Sequence, residues 1–63
     1  MEGKVKFFNR TKGFGFITSN EDEKDYFVHY SNVNDNAELN DGDSVSFEVE
    51  EGERGPKAVN VQK

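Results

Sequence analysis

No cysteine occurs in this 63-residue chain, so no disulfide reinforces the fold, and the single histidine leaves no Cys/His cluster for a structural zinc. No apolar run approaches the roughly 18 residues that a membrane-spanning helix needs. No signal-like apolar stretch opens the sequence either, so a soluble, cytoplasmic protein without a membrane partner is expected. Runs with a helical period of useful length are also missing. Gly13 and Gly15 do not make a phosphate loop, because Gly-x-x-x-x-Gly-Lys-Ser/Thr and the helix it feeds are both absent. No Ser–His or paired-carboxylate arrangement stands in a catalytic context. The expectation is a protein that is not an enzyme, with no catalytic residues, no metal, no cofactor and no small-molecule substrate.

What remains must fold on strand pairing and a thin apolar interior. A chain this short buries roughly 60% of its unfolded surface, which puts its stability toward the low end of the usual range. There is no linker, repeat or low-complexity segment, and residues 1–63 read as a single domain. Polar edges suggest a monomer.

The formal net charge of −5 argues superficially against a polyanionic partner. Its distribution reverses that impression. Residues 1–20 carry Lys4, Lys6, Arg10 and Lys12 against Glu2 alone, a local +3, whereas residues 21–63 carry four basic and twelve acidic side chains, a local −8. Local field, rather than the total, steers a ligand to a surface.

Gly, Asn and Asp divide the sequence into short alternating runs. Residues 3–9 read as a first strand with Val5 inward. Residues 14–19 and 25–30 read as the second and third, joined by the acidic turn Asn20 to Lys24. Ser31 to Gly42 is a polar loop pinned only by Val33, Ala37 and Leu39, with room for one helical turn. Residues 43–50 alternate, with Val45, Phe47 and Val49 on one face. Gly52 to Pro56 makes a turn, and Val59 and Val61 belong to a last short strand. Five strands in so few residues cannot build a sandwich with a full core; a small closed or nearly closed barrel suits the length and removes most edges. Gly15, between two aromatics, marks a bend of the sheet.

The two central runs carry the chemistry. Read at strand period, Phe14 and Phe16 share one face of the second strand, and Phe27 and His29 share one face of the third, with Ile17 and Val28 opposite. Core packing is the ordinary fate of phenylalanine, but here the aliphatic face already supplies the interior. A surface of flat rings calls for flat ligands, and nucleic-acid bases are the commonest; Lys6, Arg10 and Lys12 lie close by for phosphates. The reading is a single-stranded nucleic-acid binder in which stacking outweighs charge. His29, without convergent ligands or carboxylates, is a stacking or base-contacting ring rather than a metal ligand or catalytic base. The competing reading is a β-barrel interaction module that grips a peptide on the same aromatic face. Phe7 and Phe8 are consecutive, so parity puts Phe7 beside Val5 and turns Phe8 outward with Lys6 unless a twist or bulge intervenes. Tyr26 reads as a core or rim residue with its hydroxyl in water.

Five ordered segments carry a family resemblance: Gly3 to Asn9, Lys12 to Ile17, Phe27 to Ser31, Val45 to Glu48 and Arg54 to Ala58. Together they resemble the cold-shock domain proteins of the small bacterial type, which implies an all-β, five-stranded antiparallel OB-fold barrel. The resemblance implies single-stranded RNA and single-stranded DNA as partners, low sequence specificity, and ATP-independent RNA-chaperone activity in cold adaptation, with effects on transcription termination and translation. It makes Phe14, Phe16, Phe27, His29 and Tyr30 a stacking platform. Lys6, Lys12 and Arg54 become basic contacts, and Asn9 and Asp25 polar contacts to base edges or backbone. Phe8, Arg10, Pro56 and Lys57 are further contacts flanking these. Phe7 stands where bacterial members carry tryptophan, so stacking there should persist with a smaller ring. The Ser31–Gly42 loop is shorter than usual and has no aromatic.

Overall fold

Alternation of large outward and aliphatic inward side chains over residues 14–19 and 25–29 makes two strands that pair through a tight acidic turn, and the remaining runs close around them. The computed structural model describes residues 1–34, 38–53 and 55–63. Strands β1 (Glu2–Asn9), β2 (Phe14–Ser19) and β3 (Asp25–His29) are followed by a 3-10 turn (Tyr30–Asn32), then β4 (Ser44–Gly52) and β5 (Gly55–Gln62). They form a closed barrel in the order β1-β2-β3-β5-β4. Four seams are antiparallel, and the fifth, β3 with β5, is parallel through Phe27 and Lys57. Strand direction cannot alternate around a ring with an odd number of members, so one parallel seam is unavoidable. The all-β barrel is thus antiparallel except where it closes.

The core consists of Val5, Ile17, Tyr26, Val28, Val33, Leu39, Val45, Phe47, Ala58 and Val61. Two valines expected there lie elsewhere. Val49 is 38% exposed, because β4 pairs with β1 only over Ser44–Ser46 and continues beyond as a two-stranded ribbon with β5. Val59 is only half-buried. Asn60 has φ 51°, and the β4–β5 register slips between Ser46 and Glu48, where β5 carries one extra residue. That bulge breaks the period of two, so Ala58 and Val61 share the core face instead of Val59 and Val61. The β4–β5 pairing runs on to Gly52 and Gly55, which narrows the expected Gly52–Pro56 turn.

A second bulge shapes the functional face. Between Val5 and Phe7 the β1–β2 register shifts, β1 spending two residues where β2 spends one. Parity therefore inverts after Val5. Phe7, expected inward on parity alone, turns outward at 39% exposure, while Phe8 packs against the core. Gly15 lies beneath this bulge: a Cβ there would stand 2.7 Å from Phe8 Cα. Only glycine lets β1 approach β2 this closely.

Tyr26 is buried, and its hydroxyl donates to Asp22 Oδ2 at 2.6 Å instead of reaching water. The bond pins the β2–β3 turn, in which Lys24 N–H also donates to Asp22 Oδ1 at 3.0 Å. It holds the Asp22 carboxyl below its ordinary pKa, with the Tyr26 hydroxyl as the main cause and the Lys24 amide next. The same bond raises the Tyr26 hydroxyl above its ordinary value, with burial adding to the effect. Val33 bridges Val61 beyond the 3-10 turn, and Leu39 is buried. Ala37, the third apolar residue of that loop, is outside the described residues.

Candidate nucleic-acid interface

Antiparallel pairing of β2 with β3 sets Phe16 opposite Phe27 and Phe14 opposite His29, and the β1 bulge sets Phe7 opposite Phe16. Cross-strand neighbours on one face stand close enough for their rings to touch. The result is a continuous strip. Ring centroids are 5.6 Å apart for Phe7–Phe16, 5.9 Å for Phe16–Phe27 and 5.9 Å for Phe27–Phe14, the last pair nearly parallel at 26°. Phe7 and Phe27 are exposed, and Phe14 and Phe16 are half-buried by their neighbours. The strip faces solvent over a barrel interior already filled from the opposite side of the same strands.

At its far end β3 stops at His29, which releases Tyr30 from the inward phase of Val28. Tyr30 is 60% exposed, and its ring centroid lies 4.5 Å from that of His29. Gly13 seats this ring: its φ is 77°, and a Cβ there would meet Tyr30 Cδ1 at 2.6 Å. The His29 ring is held by Ser31, whose backbone N–H donates to Nδ1 at 3.3 Å and whose Oγ lies 2.9 Å from the same atom.

The polar residues are less free than the sequence suggests. Lys6 Nζ donates to Asp25 Oδ2 at 2.9 Å, and Thr18 Oγ1 donates to Asp25 Oδ1 at 2.7 Å. These two hydrogen bonds, Lys6 first, hold the Asp25 carboxyl below its ordinary pKa. Arg10 pairs with Glu38 and donates to Asn40 Oδ1. Asn9 Oδ1 accepts from the Lys12 backbone N–H at 3.0 Å, a bond that ties the β1–β2 turn. The Lys12 ammonium has no ion-pair partner among the described residues.

Two grooves flank the rings. One runs between the Phe14–Phe16–Phe27 side of the strip and the β4–β5 hairpin, lined there by Glu51, Glu53, Pro56 and Lys57. The Lys57 ammonium stands 4.0 Å from Glu50. The other lies between Phe8, Lys12 and Tyr30, bounded by Arg10 and Glu38. Arg54 falls outside the described residues. Of the anticipated residues, then, Phe7, Phe14, Phe16 and Phe27 form one strip, with His29 and Tyr30 as a pair beyond it. Lys6 and Asp25 occupy one corner, Asn9 and Lys12 the turn, and Arg10, paired with Glu38, borders the groove beside Tyr30. Sequence reasoning missed Thr18, Ser31 and Glu38 as supporting residues. Thr18 was within reach, since it alternates with Phe16 and faces Asp25 across the β2–β3 register.

A closed five-stranded barrel with a solvent-facing strip of rings on its first three strands defines a small OB-type binding domain. Residues 1–63 match the 'Cold-shock' DNA-binding domain family. The Cold shock-like protein CspC of Escherichia coli (strain K12) is 49% identical over 63 residues, covering 97% of this chain and 91% of that protein. The Cold shock-like protein CspE of Buchnera aphidicola (subsp. Acyrthosiphon pisum) is 51% identical over the same shares of the two chains. The chain belongs to the cold-shock domain family, whose members bind nucleic acids.

Proposed function

We propose that this protein binds single-stranded RNA and single-stranded DNA with little sequence preference, laying successive bases on the rings of the Phe7–Phe16–Phe27–Phe14 strip and on His29 and Tyr30. The observation that carries this reading is the strip itself: four phenylalanine rings in mutual contact on the outer face of the sheet. Every base has a π-face, so such a surface is tolerant of sequence, and each stacked base contributes about 1–3 kcal/mol. Asn9 and Lys12 supply polar and charged contacts alongside. Paired bases cannot reach the rings, so binding draws weak hairpins open by mass action without ATP. That is RNA-chaperone activity, exercised by a cytoplasmic monomer in the cold-shock response, with effects on transcription termination and translation. No bond-making step is assigned to any residue.

The test is a titration of labelled oligo-dT and the matching duplex by anisotropy at low and moderate salt, with Phe14→Ala as control. Binding of the single strand alone, with a shallow salt slope and loss in the variant, is the expected result. Duplex binding with a steep slope, or no binding, would overturn the proposal and favour a peptide ligand for the same face.

A further inference from the structure

The groove beside Tyr30 is continuous with the ring surface, yet its lining differs in kind from the phenylalanine strip. Phe8, the buried Leu39 and the Tyr30 ring make its apolar part, and Arg10, Glu38 and Lys12 its charged part. Arg10 comes from the β1–β2 turn and Glu38 from the loop before β4, so two segments remote in sequence meet there. Arg10 Nη1 pairs with Glu38 Oε1, and Arg10 Nη2 donates to Asn40 Oδ1. These bonds hold a guanidinium and a carboxylate side by side, both more than half exposed. A guanidinium has five donors and a carboxylate about four acceptor sites, so each keeps capacity for a ligand. The loop that supplies Glu38, Ser31 to Gly42, has no aromatic residue, so its part in recognition falls to hydrogen bonds. We infer that this groove takes the base next to the one on Tyr30, and that the Arg10–Glu38 pair reads its Watson–Crick edge with a preference for guanine.

This rests on the single-strand reading above and adds one selective position to an otherwise tolerant surface. Only an unpaired base offers its Watson–Crick edge to a protein. Guanine presents one acceptor there, O6, followed by two donors, N1–H and N2–H. Arg10 donates to the acceptor, and the two oxygens of Glu38 accept from the two donors. Cytosine presents one donor and two acceptors and needs the guanidinium fork, but both terminal nitrogens of Arg10 are already engaged. Thymine and uracil set a single donor between two acceptors, and adenine offers one donor and one acceptor, so each leaves part of the pair unmatched. The Lys12 ammonium, without an ion-pair partner among the described residues, borders the same groove for the phosphate of that nucleotide.

The experiment titrates wild type, Glu38→Gln and Arg10→Met with plain oligo-dT and with oligo-dT in which one guanine replaces thymine at each position in turn, with thermal melts to confirm folding. Guanine at one position, toward one end of the bound stretch, should tighten binding by wild type about five- to tenfold over thymine. That is the lower end for a bidentate base contact, because both side chains face water. Adenine or cytosine at that position should give no such gain, and inosine, which lacks the N2 amino group, should lose most of it. In Glu38→Gln the guanine and thymine oligonucleotides should bind alike within about twofold. Arg10→Met removes the other half of the pair and should give the same levelling, an independent reading should Glu38→Gln fold poorly. Binding of plain oligo-dT with no position that favours guanine, a gain that inosine reproduces in full, or a preference that survives Glu38→Gln would overturn the inference while leaving ring stacking intact. Failure of wild type to bind plain oligo-dT would overturn both.

Discussion

Phe16 and Ile17 are consecutive in β2 and point to opposite sides of the barrel wall, so substituting each in turn separates binding from stability within a single strand. Phe16 is half-buried, touching Phe7 at 5.6 Å and Phe27 at 5.9 Å, whereas Ile17 is fully buried in the core. Phe16→Ala removes the ring at the centre of the strip. The expected loss is about 1–3 kcal/mol of binding, or about 5- to 160-fold in Kd. Ile17→Val deletes one methylene from a closed core and should cost about 0.5–1.5 kcal/mol of stability. In a domain of this size each kcal/mol lowers Tm by about 4–8 °C. Its Kd for oligo-dT, measured well below Tm, should match wild type within about twofold, because no atom of the outer face changes. Anisotropy supplies the first number and thermal unfolding by circular dichroism the second. Wild-type affinity in Phe16→Ala, or an equal loss of affinity in Ile17→Val, would refute the assignment of the two faces.

Three further outcomes follow from the structure. Gly13→Ala should destabilise the fold by at least about 1 kcal/mol, since an alanine at φ 77° is strained and its Cβ would meet the Tyr30 ring; a Tm unchanged from wild type would contradict this. Phe7→Trp should tighten oligo-dT binding by about two- to fivefold through added stacking area on an already exposed ring, and weaker binding would place Phe7 outside the ligand's path. The Tyr26–Asp22 bond should shape stability at both ends of the pH scale. Asp22 titrates below 3.8 in the folded chain, so its contribution is present above that pH and lost as pH falls through the folded value. Tyr26 titrates above 10.0, so its contribution is present below that pH and lost as pH rises through the folded value. Tyr26→Phe should flatten Tm against pH on both limbs, and a profile parallel to wild type would refute the coupling.

Local period explains how much of this was legible in the sequence. The outward placement of Phe14, Phe16, Phe27 and His29 and the inward placement of Ile17 and Val28 follow from alternation within two unbroken strands, and each extends only a few residues. The boundaries of the first four strands came within a residue or two for the same reason, whereas the last, expected to be short, runs over eight residues from Gly55 to Gln62. The burial of Val45 and Phe47 was readable, but the exposure of Val49 was not, because whether another strand covers it depends on where β1 begins.

What only the tertiary structure decided is whatever pairing between distant strands imposes. The bulge after Val5 inverts parity and delivers Phe7, not Phe8, to the ring strip; the bulge at Asn60 exchanges Ala58 for Val59 in the core. Neither bulge has a signature in its own strand, since a bulge is a mismatch between two strands. The parallel seam is a property of closing five strands into a ring. The ion pairs that occupy Lys6 and Arg10 join residues remote in sequence whose charges alone could not reveal which carboxylate each would meet. Side-chain period is a local property of the chain; register and charge pairing are relations between segments, and they exist only once the barrel has closed.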